Sequence, residues 1–200
     1  MTDAVLRFPK ERVLTPLARA LPRRIHPLAI TLSGMVPGVW AAVEASRRHF
    51  ALALALWLVN RLMDGLDGTV ARVQGRQSDF GAYADIHADF VVYAAIPIGV
   101  AFAVDSNIHW IATTVLLATF YLNTVSWAYL AALLERRGHE SCGTFTSITM
   151  PGGLIEGAET IVLYSSMLAA PRWATEVVWI MGAAVILTVG QRLMWASTEL

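Results

Sequence analysis

Long apolar stretches separated by short polar breaks run through most of the chain, and the breaks predict six membrane-spanning helices. The first covers about 27–45 and stays apolar until Glu44, with Pro37 predicting a kink or a carbonyl satisfied by a neighbouring helix. The second starts near Phe50 with ALALALWLVN. Only about a dozen apolar residues precede Arg61 and Asp64, too few to cross a hydrocarbon core roughly 30 Å thick. That helix must therefore continue through the acids, which places Asp64 and Asp67 at membrane depth beside a hydrated cavity. The third span covers about 80–104 and the fourth about 109–134, joined by the polar turn VDSNIH. The longest polar loop, ERRGHESCGTFTS, leads to a fifth span at about 148–169, and APRW separates it from a sixth at about 174–195.

Residues 1–24 break this pattern. Arg7, Lys10, Arg12, Arg19, Arg23 and Arg24 outnumber Asp3 and Glu11, and Val5, Leu6, Val13, Leu14, Leu17, Ala18 and Leu21 form an interrupted apolar stripe. This predicts an N-terminal amphipathic helix on the membrane surface, its cations among anionic head groups. A cleaved signal is not expected, because the apolar run that follows is longer and leads into the bundle. The composition agrees with an all-α, polytopic membrane protein forming a single domain over 1–200, with a leader at 1–24 and a six-helix bundle at about 27–195. The chain is 56% hydrophobic and 15% charged, with mean hydropathy +0.54 and seven tryptophans. Zero net charge gives nucleic acid no bulk attraction, and the lone Cys142 excludes an internal disulfide.

Orientation follows from the basic residues. With the amino terminus in the cytoplasm, that side receives eleven: the leader's six, Arg72, Arg76, Arg136, Arg137 and Arg192. The other side receives Arg47, Arg48 and Arg172. The multi-pass protein then carries its acidic stretch toward the cytoplasm.

That stretch, DGLDGTVARVQGRQSDFGAYADIHAD at 64–89, holds five of the chain's fifteen acids. Asp64 and Asp67 are three apart and Asp85 and Asp89 four apart, so each pair shares a helix face. Gly75 in VQGRQS marks a turn between them, and counting outward from it brings the two pairs to similar depth. Four converging carboxylates repel one another and are costly to desolvate, and a divalent cation relieves both penalties. Hard oxygens without cysteine or histidine at ligand spacing favour Mg²⁺, Mn²⁺ or Ca²⁺ over zinc. Gly68, Ala71, Gly81 and Ala88 leave room on the same faces for a bulky ligand, and Arg72 offers a planar cation for phosphate. Together these residues describe a site for a diphosphate. Asp79 reads as a helix N-cap and His87, on the opposite side of its helix, as a packing or interface residue.

The spacing of Asp64, Asp67, Gly68, Ala71, Arg72, Gly81, Asp85 and Asp89 resembles the signature of the CDP-alcohol phosphotransferases, membrane enzymes of phospholipid head-group synthesis. The resemblance extends to the six-span layout, the basic leader and HPLAIT at 26–31, although Leu28 stands where the family commonly has asparagine. It implies attack of an alcohol hydroxyl on the β-phosphorus of a CDP-linked lipid such as CDP-diacylglycerol, releasing CMP, with one or two Mg²⁺ or Mn²⁺ ions. By the same resemblance Asp64, Asp67 and Asp85 are metal ligands, and Asp89 is the general base and a further ligand. Gly68, Ala71, Arg72 and Gly81 then hold the CDP moiety, the lipid tails reach the bilayer between helices, and a homodimer is the family's common state.

The small-alcohol acceptor is less defined. Arg136 and Arg137 are available for an acceptor that already bears a phosphate. Glu156 and Glu159 either line the pocket, favouring a neutral or cationic acceptor, or pair structurally with Arg61 or Arg72. Serine, choline, glycerol phosphate and inositol phosphate all fit. Two other classes use intramembrane acids. A membrane prenyltransferase would show a second, separate aspartate-rich motif, and a divalent-cation transporter would not need the Gly68, Ala71, Arg72 and Gly81 framework.

Overall fold

A computed structural model describes residues 14–22, 24–137 and 153–200; residues 1–13, much of the leader, and 138–152, including Cys142 and the expected start of the fifth span, lie outside them. The described residues are helical throughout, with short connections and no strand. A short helix α1 (residues 14–20) precedes α2 (Pro27–Ser46), α3 (Phe50–Gln74), α4 (Asp79–Val104), α5 (Asn107–Arg136), α6 (Gly157–Ala169) and α7 (Ala174–Glu199), with a 3₁₀ turn at Pro171–Trp173. Four segments are long and apolar enough to cross a membrane: α2, α4, α5 and Pro171–Glu199. The protein is thus a multi-pass membrane protein. α3 runs unbroken through Asp64 and Asp67 as expected, and its charges keep it out of that set. α6 corrects the expected fifth span: residues 153–156 are not helical, and 13 residues rise only about 20 Å.

The turns follow from local chemistry. Gly75 closes α3 in the left-handed conformation (φ 64°), and the Arg76 N–H reaches back to the Ala71 carbonyl at 2.8 Å. Ser78 then caps α4, its hydroxyl accepting the Gly81 N–H at 3.1 Å. The cap is therefore one residue earlier than the expected Asp79, which becomes the first helical residue and favours the positive end of the helix dipole. At the opposite end of α2, Glu44 is satisfied by Trp40, Arg47 and His49, at 2.9, 3.1 and 2.7 Å.

The helix that organises the rest is α2, which packs along both α3 and α4, while the backbones of α3 and α4 stay apart and those helices meet through long side chains such as Arg61, which bonds Asp89 and Tyr93. Small residues permit that approach. A Cβ on Gly38 would fall 2.5 Å from Val92 Cγ2 on α4 and 3.0 Å from the Asn60 carboxamide on α3. One on Gly99 would fall 2.2 Å from the Ala42 carbonyl oxygen. The second half, α5 against α7, joins the first mainly through α6, which packs on α3. Pro97 in α4 has no N–H for the Tyr93 carbonyl one turn earlier, and the Tyr164 hydroxyl of α6 donates to that carbonyl at 2.6 Å instead. The leader's apolar stripe is used partly by the protein itself: Leu14 and Ala18 are buried, and Ala18 clusters with Ile30 and Val70.

Gly99→Ala should destabilise the protein by about 1–3 kcal/mol, because a backbone carbonyl cannot yield to the added methyl. Gly182→Ala, where the nearest atom is 3.9 Å away, should leave stability unchanged. Thermal unfolding of both variants in one detergent measures the difference.

Candidate active site

Because α2 wedges between α3 and α4, the acids those helices carry face a space rather than each other's backbones. Asp64 and Asp67 of α3 and Asp85 and Asp89 of α4 all line one void of about 10 Å³, closed by Thr31, Gly34 and Met35 of α2. That is roughly the volume that a single water or small ion occupies. Thr31, Asp67 and Asp85 also line an adjoining cavity of about 470 Å³, within the usual range for small-molecule sites. Gly68, Ala71, Arg72 and Gly81 form its walls. A Cβ on Gly68 would meet only Arg72 Nη1, at 3.4 Å, and one on Gly81 only Ser78 Oγ, at 3.1 Å. Both glycines open onto the cavity instead of a neighbouring helix. All eight residues singled out in the sequence stretch are thus brought to one place.

The carboxylates are held by different partners. Asp67 is buried, and the Thr31 hydroxyl donates to its Oδ2. Asp89 Oδ1 accepts from Arg61 Nη2 at 2.7 Å, and Arg61 Nη1 lies 3.8 Å from Asp64 Oδ2. As they stand, no three acidic, histidine or cysteine side chains among the described residues are close enough to share an ion. The donor set and the water-sized void nonetheless suit a hard divalent cation, once the Asp67 oxygen now turned to Thr31 is drawn inward.

Two contributors escaped the sequence reading. Thr31 ends HPLAIT, whose His26, Pro27 and Leu28 also line the large cavity, so Leu28 lies at the site although it replaces an amide. The sequence points to Arg61 only as a partner for Glu156 or Glu159, although its position three residues before Asp64 puts it on the same helix face. Glu156 and Glu159 instead form a capping box at the start of α6, the Glu156 N–H donating to Glu159 Oε2 at 3.1 Å. Arg136 and Arg137 are exposed at the end of α5, where Arg137 donates to the Leu200 carbonyl. None of these four lines either aspartate cavity. His87, expected as a packing or interface residue, is exposed and stacked on Tyr83 at 4.2 Å, beside a shallow apolar groove with Leu32, Phe80 and Val91.

Apolar helices bearing four carboxylates around a void, beside a glycine-walled cavity with an arginine, define a membrane transferase acting on a diphosphate donor. The chain belongs to the CDP-alcohol phosphatidyltransferase family, whose model matches residues 24–198. It is 35% identical to the inner membrane protein YnjF of Escherichia coli over 174 residues, which is 86% of this chain and 83% of that protein. Its fold matches that of Mycobacterium tuberculosis phosphatidylinositol phosphate synthase solved with CDP-DAG bound, with a TM-score of 0.74 at 24% identity over 92% and 94% of the two chains. The same synthase solved with manganese and citrate gives 0.73 at 24% identity, covering 92% of this chain and 89% of that one. The activity is phosphatidyl transfer from a CDP-linked lipid in phospholipid synthesis, which displaces the prenyltransferase and transporter readings.

Thr31→Val should cost about 1–3 kcal/mol of stability in metal-free protein, since it leaves the buried Asp67 carboxylate without its hydroxyl donor. Unfolding measured in the presence of a chelator checks this.

Proposed function

We propose that the chain is a single metal-dependent phosphatidyltransferase domain. In it Asp64, Asp67 and Asp85, with Asp89 as a further ligand, hold one or two Mg²⁺ or Mn²⁺ ions. Gly68, Ala71, Arg72 and Gly81 hold the CDP moiety of a lipid donor such as CDP-diacylglycerol. The observation that carries this reading is that four aspartates from two helices line one void, which shares Thr31, Asp67 and Asp85 with the cavity those four residues wall. The manganese and CDP-DAG in the related synthase structures support the choice of ion and donor. Bound there, a divalent ion would neutralise charge on the non-bridging oxygens of the diphosphate.

The residues divide the remaining work. Arg72 faces the phosphates as a fixed planar cation, and Gly68 and Gly81 let the donor approach the backbone. Asp89, at the end of the void away from the CDP cavity, takes the proton of the acceptor hydroxyl. The freed oxygen forms a bond to the β-phosphorus, the bond from that phosphorus to the bridging oxygen breaks, and CMP leaves with the electron pair. Helices α2–α7 are read as the six spans, α6 crossing only part of the core. The aspartates then face the cytoplasm, where the eleven basic residues gather and the leader lies on the membrane surface. The capping box accounts for Glu156 and Glu159, so these acids no longer argue for a neutral or cationic acceptor. The synthase likeness makes inositol phosphate the first acceptor to test.

Asp89→Asn should lower CMP release by about 10²–10⁴-fold, the usual worth of a general base, while CDP and Mn²⁺ still bind. Turnover of CDP-diacylglycerol with serine, choline, glycerol phosphate and inositol phosphate, scored by CMP produced, identifies the acceptor and checks the variant; normal turnover removes Asp89 from this role. Gly68→Val should fold normally yet weaken CDP binding about tenfold or more, roughly 1.4 kcal/mol, as read by calorimetry.

A further inference from the structure

We propose that Arg61 is a positioning residue for the transfer step, clamping one oxygen of Asp89 so that the other is presented to the acceptor hydroxyl. The proposal rests on the reading of Asp89 as the base. Arg61 is only 8% exposed, inside a helix otherwise suited to lipid, so its charge must be answered by protein. It is answered with an unusually complete set of partners. Nε and Nη2 donate to Asn60 Oδ1 at 2.9 and 2.7 Å, Nη2 also to Asp89 Oδ1 at 2.7 Å, and Nη1 to the Tyr93 hydroxyl at 2.9 Å. The guanidinium lies over the Trp57 and Tyr93 rings, its central carbon 4.7 and 5.0 Å from their centroids.

Each partner is itself anchored. Asn60 donates to the Gly34 carbonyl of α2 at 2.9 Å, Trp57 to Ser165 of α6 at 3.1 Å, and the Tyr93 carbonyl holds Tyr164 of α6. The fork is therefore tied to all three helices around it, and a planar cation so held has one orientation. Asp89 Oδ1 is committed to that fork, whereas no described residue donates to Oδ2, and the residue borders the void beside Asp64 and Asp85. A base fixed through one oxygen and open at the other meets an incoming hydroxyl at a set angle, where a 1 Å error costs on the order of 10²-fold in rate. Arg61 also lies 3.8 Å from Asp64, so it shares with any bound metal the task of neutralising the cluster.

The two tasks separate experimentally. In Arg61→Met, kcat for CMP release from CDP-diacylglycerol should fall by about 100-fold, with the donor KM unchanged, and Arg61→Lys should recover part of the loss. Donor-free Arg61→Met should bind Mn²⁺ more tightly than wild type, as titrated by electron paramagnetic resonance, because a competing cation has gone; a merely structural role would weaken binding or leave it alone. Tyr93→Phe, which frees one arm of the fork but keeps the ring, should lower kcat several-fold and keeps the idea testable if Arg61→Met does not fold. Wild-type kcat in Arg61→Met or in Tyr93→Phe, or Mn²⁺ binding no tighter than wild type in Arg61→Met, overturns the proposal. Asp89→Asn measured alongside separates the two readings: if it turns over normally the base assignment has failed, whereas if it is inactive while Arg61→Met is not, only the positioning has.

Discussion

The structure turns on keeping four carboxylates close enough to act on one ligand and far enough apart to coexist without it. A direct α3–α4 helix pair would press the acids together in a low-dielectric interior, where like charges strongly disfavour each other's ionisation. Inserting α2 keeps the two backbones apart, so that α3 and α4 meet through long side chains such as Arg61. Gly38 and the Gly99–Ala42 approach let α2 sit at backbone distance from its neighbours, so the wedge is thin, and the space left is a void rather than a gulf. Thr31 and Arg61 then satisfy Asp67 and Asp89 individually, and Arg61 reaches toward Asp64.

The same wedge gives the site two sides. Toward the Gly75 turn lies the glycine-walled cavity with Arg72; toward the middle of the bundle lie Arg61, Trp57, Tyr93 and Tyr164, all buried or nearly so and mutually bonded. One side is open and lined by small residues, as a site that admits a nucleotide requires. The other is filled and cross-linked, as a group whose direction matters requires. Pro97 belongs to this second side. By withholding an N–H from the Tyr93 carbonyl, it creates the acceptor that ties α6 to α4 just where Tyr93 braces Arg61.

Much of this was legible in the residues. Acid spacing and the glycine between the pairs fixed two helices, their turn and their common depth, because these depend on helical periodicity and on a left-handed turn residue alone. The apolar runs located α2, α4, α5 and α7 within a few residues. What the residues did not announce were one local motif and the bonds between partners distant in sequence. Glu156 and Glu159, expected either to line the pocket or to pair with Arg61 or Arg72, stand at the first turn of α6 and form a capping box there. The Thr31–Asp67 and Arg61–Asp89 bonds span 36 and 28 residues, and no periodicity within either helix announces them.

The distribution of contacts also shows where specificity has room to vary. The glycine-walled cavity uses three consecutive helices joined by short turns, so its geometry is set by local sequence and by α2 packing. The second half, α5 with α7, reaches it mainly through α6. Two bonds, Trp57 to Ser165 and Tyr164 to Tyr93, land next to Arg61 and so couple the placement of α6 to the fork that holds Asp89. Changes in α5, α6 and α7 can therefore reshape the surroundings of Arg61 and Asp89 while leaving the glycine-walled cavity untouched. The physical requirement is only that Tyr164 keep its hold on the Tyr93 carbonyl, to which Pro97 can offer no N–H.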